Sequence, residues 1–169
     1  MRLAVVNTYT HPFNLPLDQT ALLVIDMQND FCHPDGFNGS ELGLDMTAVR
    51  AIIPAVQTLV GWARQAGIQN IFTRLDKPAH SCFVDTALDQ RLQADNITHL
   101  LIVGVTTQCC VLATYRHASD LGYYCLLLDD CCAAFDTRDH DATVHILQSE
   151  GGVLGWVAPS SSLLGIPDR

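Results

Sequence analysis

The sequence predicts an α/β fold, a three-layer arrangement with a mostly parallel sheet of five to six strands between helices. Three observations carry this. Short apolar runs without polar interruption, such as Thr20–Ile25 (TALLVI) and Leu100–Val105 (LLIVGV), read as strands buried on both faces. They alternate with segments of helical periodicity, the pattern of βαβ units whose crossovers cover the sheet with helices. The chain of 169 residues, 49% hydrophobic, suits one domain over residues 1–169.

Along the chain, Thr20–Ile25 is a strand ending at Asp26. Thr47–Ala66 is a helix with Val49, Ile52, Ile53, Val56, Leu59, Val60 and Ala63 at helical spacing. Pro54 marks a first turn or a kink within it, and Gly67 stops it. Ile68–Thr73 is the second strand of this pattern. Asp85–Ala94 reads as a helix, Leu100–Val105 as a strand, and Cys110–Leu121 as a helix closed by Gly122. Tyr123–Leu128 is a strand ending in Asp129–Asp130. Asp141–Ser149 is a helix stopped by Gly151–Gly152, and Val153–Val157 is the last strand. The stretch His33–Gly39 is a loop.

Composition excludes several function classes. The formal net charge is −9, with only 9 Lys plus Arg and no basic run, so binding to nucleic acid or to an anionic membrane is not expected. No apolar stretch approaches the roughly 20 residues of a membrane span, and the N-terminus lacks signal-peptide organisation. The seven cysteines are odd in number and include two adjacent pairs, Cys109–Cys110 and Cys131–Cys132. That argues for reduced thiols in a cytoplasmic protein rather than a disulfide framework. A thiol redox role is disfavoured, because Cys-x-x-Cys is absent. His11, His33, His80, His99, His117, His140 and His145 are scattered and form no ligand spacing, so neither a metal site nor another cofactor is expected.

In an open parallel sheet, sites form beyond the carboxyl ends of the strands. The polar residues there are Asp26; Arg74, Asp76 and Lys77; Thr106, Thr107, Gln108, Cys109 and Cys110; and Asp129 and Asp130. Cys110 is the sharpest of them. Its run GVTTQCCV joins a strand to a helix, and a thiol at a helix N-terminus has its pKa lowered by the dipole and the free N–H groups. The same N–H groups suit an oxyanion. Lys77 would stabilise a thiolate, and Asp26 would take the thiol proton and return it to a leaving amine.

With those residues in view, the chain resembles the isochorismatase-like cysteine hydrolases, which include nicotinamidases and carbamoylsarcosine, ureidoacrylate and biuret hydrolases. The matching blocks are LLVIDMQNDF, KPAHSCFVDTALDQRL, ITHLLIVGVTTQCCV and GYYCLLLDDCCAAFD, in family order and covering nearly the whole chain. The ureidoacrylate and biuret branch is the nearest in pattern. The resemblance implies a Rossmann-like α/β/α domain with a catalytic triad of Asp26, Lys77 and Cys110. It also implies a cis peptide at Val105–Thr106 and an oxyanion site from the backbone of Val105, Thr106 and Cys110. Gln28, Phe31 and Glu150 would contact substrate. The implied reaction is attack of Cys110 on a small amide or ureide, cleaving a non-peptide C–N bond with no cofactor, in an enzyme that is a dimer or tetramer.

Two departures from the family pattern stand out. Glu150 occupies the position where the biuret enzymes carry Gln, and a carboxylate offers acceptors only. The chain also passes almost directly from IFTR to LDKP, where family members carry several dozen residues, including a strand and a pocket loop. Two readings therefore stay open: an active hydrolase, and a catalytically impaired member acting as a binding or interaction subunit.

Overall fold

The computed structural model describes residues 2–74, 77–149 and 151–166. The chain begins with a hairpin, β1 (Leu3–Val6) and β2 (Phe13–Pro16), paired antiparallel. Strand β3 (Thr20–Ile25) comes next, then the short helices α1 (Asn29–Cys32) and α2 (Phe37–Ser40). Helices α3 (Thr47–Ala51) and α4 (Ile53–Gln65) lead to β4 (Gln69–Phe72). Helix α5 (Leu88–Ala94) precedes β5 (His99–Val105). A π-helical turn, Thr107–Val111, runs into α6 (Leu112–Asp120). The rest is β6 (Tyr124–Ala133), α7 (Thr137–Ser149), β7 (Trp156–Ala158) and α8 (Ser161–Leu164).

The main sheet has five strands in the order β4-β3-β5-β6-β7, all parallel, as the apolar runs predict. Its centre is fully buried at Leu22, Leu23, Ile25, Leu100, Leu101, Ile102, Leu126 and Leu127. Each such side chain contributes roughly 1.5–3 kcal/mol of hydrophobic stabilisation. Helices α4, α6 and α7 pack against the sheet through Val56, Leu59, Tyr115, Ala118 and Leu147.

Several boundaries differ from the expectation for local physical reasons. The long helix is broken at Ile52, where Pro54 enters the first turn of α4 and carries no N–H to continue the α3 ladder. Helix α5 starts at Leu88 rather than Asp85, because Asp85 has φ +51° and the Thr86 hydroxyl donates back to the Cys82 carbonyl (2.6 Å). Helix α7 starts earlier than Asp141, where the Asp136 carboxylate accepts the Arg138 N–H (2.9 Å) and supplies the N-terminal partner. Strand β6 runs on through Asp129 and Asp130 instead of ending there. The Asp130 carboxylate accepts both the N–H and the hydroxyl of Ser160 (2.7 Å each), and Tyr9 donates to Asp129 (3.0 Å). These two acids thus hold the strand and its neighbours and do not face the site. Strand β7 is Trp156–Ala158, later than expected, because the turn of Gly151–Gly152 extends to Gly155.

The N-terminal hairpin is not apparent in the sequence. Leu3 and Val5 face outward while Ala4 and Val6 are buried, so an all-apolar LAVV hides its period of two. Arg2 pins the hairpin by pairing with Asp18 (2.7 Å) and donating to the Ala66 carbonyl (2.7 Å) at the end of α4.

All seven cysteines are free thiols. Burial pushes Cys131 up to about 12 and raises Cys125 and Cys132 well above the ordinary thiol value of 9. Their neutral form is favoured in the folded chain, so the stability they add is complete below pH about 9 and is lost as pH rises toward the folded values. Urea unfolding measured from pH 8 upward should show stability falling steeply above pH about 9, each buried thiol adding up to about 1.4 kcal/mol per pH unit. A flat profile through pH about 11 would contradict this burial.

Candidate active site

Strand register brings the site together. Val24 pairs with Phe72 and Ile25 with Gly104, so Asp26, Thr73 and Val105–Thr106 all emerge at the carboxyl edge of three neighbouring strands. The approach of β3 to β5 is closest at Gly104, where an added Cβ would lie 2.1 Å from the Ile25 carbonyl oxygen. Its φ of +122° also belongs to glycine. Any side chain there would push apart the two strands that carry Asp26 and the Cys110 turn.

Asp26 is completely buried with φ +50°, a left-handed backbone that turns the chain sharply off β3. Thr73 locks it from both ends. The Thr73 hydroxyl accepts the Asp26 N–H (3.2 Å) and donates to Oδ1 (3.0 Å). Oδ2 takes the Lys77 ammonium, forming an ion pair whose side chains are 0% and 7% exposed. Lys77 Nζ also lies 3.6 Å from Cys110 Sγ. Burial pulls the Lys77 pKa down, but its hydrogen bond to Asp26 and the charges of Asp26 and Cys110 outweigh that, and the net shift is upward.

Cys110 is 5% exposed. It sits in the π-helical turn Thr107–Val111 that runs directly into α6, near the N-terminus of this helical stretch as expected. The helix-start reading predicts a lowered thiol pKa, and the structure reverses it. Burial, then the hydrogen bond to Asp26 and its negative charge, push the thiol up to about 12 against the opposing pull of Lys77. With the thiol protonated, the ion pair and the thiol together carry no net charge. Losing the thiol proton to solvent would leave a buried net charge. Passing it to Asp26 would not.

The peptide Val105–Thr106 is cis, as the resemblance implies. The Thr106 carbonyl accepts the N–H groups of Cys109 (3.1 Å) and Val111 (3.2 Å), which fixes the turn around Cys110. Thr107 contacts His140 Nδ1 (2.9 Å), Gln108 donates to Asp139 (3.4 Å), and Cys109 Sγ lies 3.3 Å from His80 Nδ1. The adjacency of His80 to the cysteine pair is invisible in the linear spacing of the histidines.

Lys77 is held from downstream. Ser81 contacts His117 Nδ1 (3.1 Å), and the Cys82 N–H donates to the Thr114 hydroxyl (3.1 Å), which donates to Cys82 Sγ (3.2 Å). Phe83 packs on the rings of His117 and Tyr123. This clamp onto α6 carries the loop that delivers Lys77. Sequence reading passes over Thr73 and the clamp, although Thr73 stands at a strand end, the position from which the other rim residues are recognised.

Two open cavities flank edge strand β4, and Phe72 lines both. One, of about 510 Å³, is lined by Thr73, Arg74, Lys77, Pro78 and Cys82 among others. The second, of about 520 Å³, includes Met27, Gln28, Cys32 and Arg64. Gln28 therefore borders the second cavity and, through its carbonyl, accepts the N–H groups of Phe31 and Cys32. Phe31 packs half-buried against the core and lines neither cavity. Asp76 and Glu150 lie outside the described residues.

A parallel α/β sheet with a buried acid, lysine and thiol at its carboxyl edge defines a class of hydrolase-like folds, and comparison places the chain within it. The isochorismatase domain family model matches residues 20–80 and 73–158, so the chain belongs to the isochorismatase family. It is 25% identical to a ureidoacrylate amidohydrolase of Acinetobacter baylyi, covering 87% of this chain and 83% of that one. A cysteine hydrolase from Pseudomonas syringae superposes with a TM-score of 0.78 at 18% identity, covering 97% of each chain. The N-carbamoylsarcosine amidase of Thermoplasma acidophilum superposes at 0.66 with 19% identity, covering 84% of this chain and 96% of that one. The family match breaks into two stretches overlapping at residues 73–80. The Acinetobacter alignment, 207 residues long, exceeds the 169 of this chain and so opens gaps in it. Both fit an internal family segment that this chain lacks just before Lys77.

Lys77→Met would leave the Asp26 carboxylate buried without its cation, and the variant should lose about 3–5 kcal/mol of stability in urea unfolding. The double variant Asp26→Asn with Lys77→Met should recover most of that loss, since no lone charge remains. Equal stability of the Lys77→Met variant and the wild type would show that the pair is not closed to water.

Proposed function

We propose that this protein hydrolyses a C–N bond of a small amide or ureide through a covalent intermediate on Cys110. The observation that carries the reading is that one ammonium, Lys77, touches both the Asp26 carboxylate and the Cys110 sulfur at the rim of the sheet. The names of family relatives support the substrate class, since they include a ureidoacrylate amidohydrolase and an N-carbamoylsarcosine amidase.

The chemistry proceeds from the neutral assembly. The thiol proton passes to Asp26 as Cys110 Sγ attacks the substrate carbonyl carbon, and Lys77 holds the developing thiolate charge. Backbone N–H groups at Thr106 and Cys110 receive the carbonyl oxygen as it becomes negative. The tetrahedral intermediate expels the nitrogen group, which takes the proton from Asp26 and leaves as ammonia or an amine. Asp26, again a carboxylate, deprotonates a water that attacks the thioester carbon. Cys110 recovers its proton and the acid product leaves. Gln28, which borders the second cavity, and Glu150 are the residues proposed to meet the rest of the substrate; Phe31, expected beside them, packs against the core instead. The full set of free thiols supports a cytoplasmic location. The exposed edge of β4, with Phe72 55% exposed, supports a homo-oligomer, a dimer or tetramer.

A second reading has one observation in its favour. Strand β4 forms the sheet edge and both cavities beside it are open, so water would reach a bound substrate freely; a family member without turnover, serving as a binding subunit, fits that geometry.

An ammonia-release screen over biuret, ureidoacrylate, carbamoylsarcosine, nicotinamide and simple amides separates the two. Turnover of at least one compound is expected, with Cys110→Ala inactive though folded and Asp26→Asn slowed by about 10²–10⁴-fold. Undiminished turnover by Cys110→Ala would remove the nucleophile, and no turnover of any compound would favour the binding subunit.

A further inference from the structure

The hydrolytic reading leaves His80 and Cys109 without a task, although both stand beside the nucleophile. His80 Nδ1 is 3.3 Å from Cys109 Sγ. A ring nitrogen of His80 and the sulfurs of Cys109 and Cys110 all lie within 4.8 Å of one another. We propose that these three side chains form a binding site for a thiophilic divalent cation, Zn²⁺ foremost, and that occupation of the site silences Cys110.

The donor set is one imidazole nitrogen and two thiolates. That combination selects Zn²⁺ over the oxygen-seeking Mg²⁺ and Ca²⁺. In a tetrahedral zinc centre, bonds of about 2.0–2.3 Å put neighbouring donors about 3.5 Å apart. The His80–Cys109 pair already has that separation, and the widest of the three needs to contract by only about 1 Å. Exposure is graded in the useful direction: Cys110 is buried, Cys109 half-buried and His80 exposed. An ion arriving from solvent therefore meets the imidazole first and the nucleophile last. Three protein donors leave a fourth position for water.

Charge also fits. Zn²⁺ displaces one proton from each thiol, and the protons leave to solvent. A dication with two thiolates and a neutral imidazole is neutral overall, and the adjacent Asp26–Lys77 pair is already balanced. Binding thus adds no net charge beside the buried ion pair. The sulfur electron pair that would attack the substrate is then committed to the metal, which is why occupation inhibits. The inhibitory half of the proposal rests on the hydrolytic reading; the binding half does not.

The test uses the whole chain, freed of metal, titrated with Co²⁺ and then with Zn²⁺, in the wild type, His80→Ala and Cys109→Ser. Ammonia release is measured alongside. The wild type should bind one Co²⁺ per chain with a sulfur-to-cobalt charge-transfer band and a tetrahedral ligand-field spectrum, which Zn²⁺ abolishes. Loss of even an outer partner of a metal ligand costs 10–100-fold in affinity, so each substitution of a ligand should weaken binding by at least about tenfold. The metal-free variants should keep ammonia release and lose its inhibition by Zn²⁺. Absence of the charge-transfer band in the wild type, or undiminished Co²⁺ affinity in both variants, would overturn the site. If no form releases ammonia, the hydrolytic reading fails while the Co²⁺ spectra still decide the metal site.

Discussion

The ion pair between Asp26 and Lys77 is the constraint around which the site is built. Two charges removed from water are tolerated only when each finds its partner and its remaining hydrogen bonds. Asp26 obtains them from Thr73 and Lys77, and Lys77 from Asp26 with Cys110 at 3.6 Å. Neither side chain is free to turn toward solvent. The thiol beside them is therefore held in a fixed field in which its own ionisation is unfavourable, and the carboxylate that disfavours ionisation is also the nearest acceptor for its proton.

Sheet register positions Asp26. Parallel pairing of β3 with β4 sets Asp26 beside Thr73, and pairing of β3 with β5 sets it beside the turn that carries Cys110. Gly104 permits the second approach. Lys77 is not set by register, since it stands five residues beyond the end of β4. The clamp of Ser81, Cys82 and Phe83 onto α6 holds the loop that carries it. The lysine is thus anchored from its C-terminal side.

Much of this was legible in the sequence. The five apolar runs of the main sheet and the break at Pro54 stem from periodicity and from proline's missing N–H. Asp26, Lys77 and Cys110 all follow strands, on the side where parallel sheets place their sites. Other features were not legible, each for a definite reason. The hairpin LAVV is apolar throughout, so its alternation shows only when one face meets the core. Asp129 and Asp130 look like strand terminators, but Tyr9 and Ser160, distant in sequence, donate to them within β6. The direction of the Cys110 shift depends on burial and on a carboxylate 84 positions away in the chain, whereas the local motif suggested only a helix N-terminus. The cluster of His80 with Cys109 is purely a product of folding.

The most direct test of this account is the protonation state of Cys110 in the resting protein. Thiolate absorbance in the ultraviolet, taken as the difference between the wild type and Cys110→Ala, should stay silent from pH about 6 to about 9, because the proton remains within the neutral assembly. A full thiolate signal from Cys110 at or below pH about 7 would show an anionic sulfur at rest and contradict the central claim.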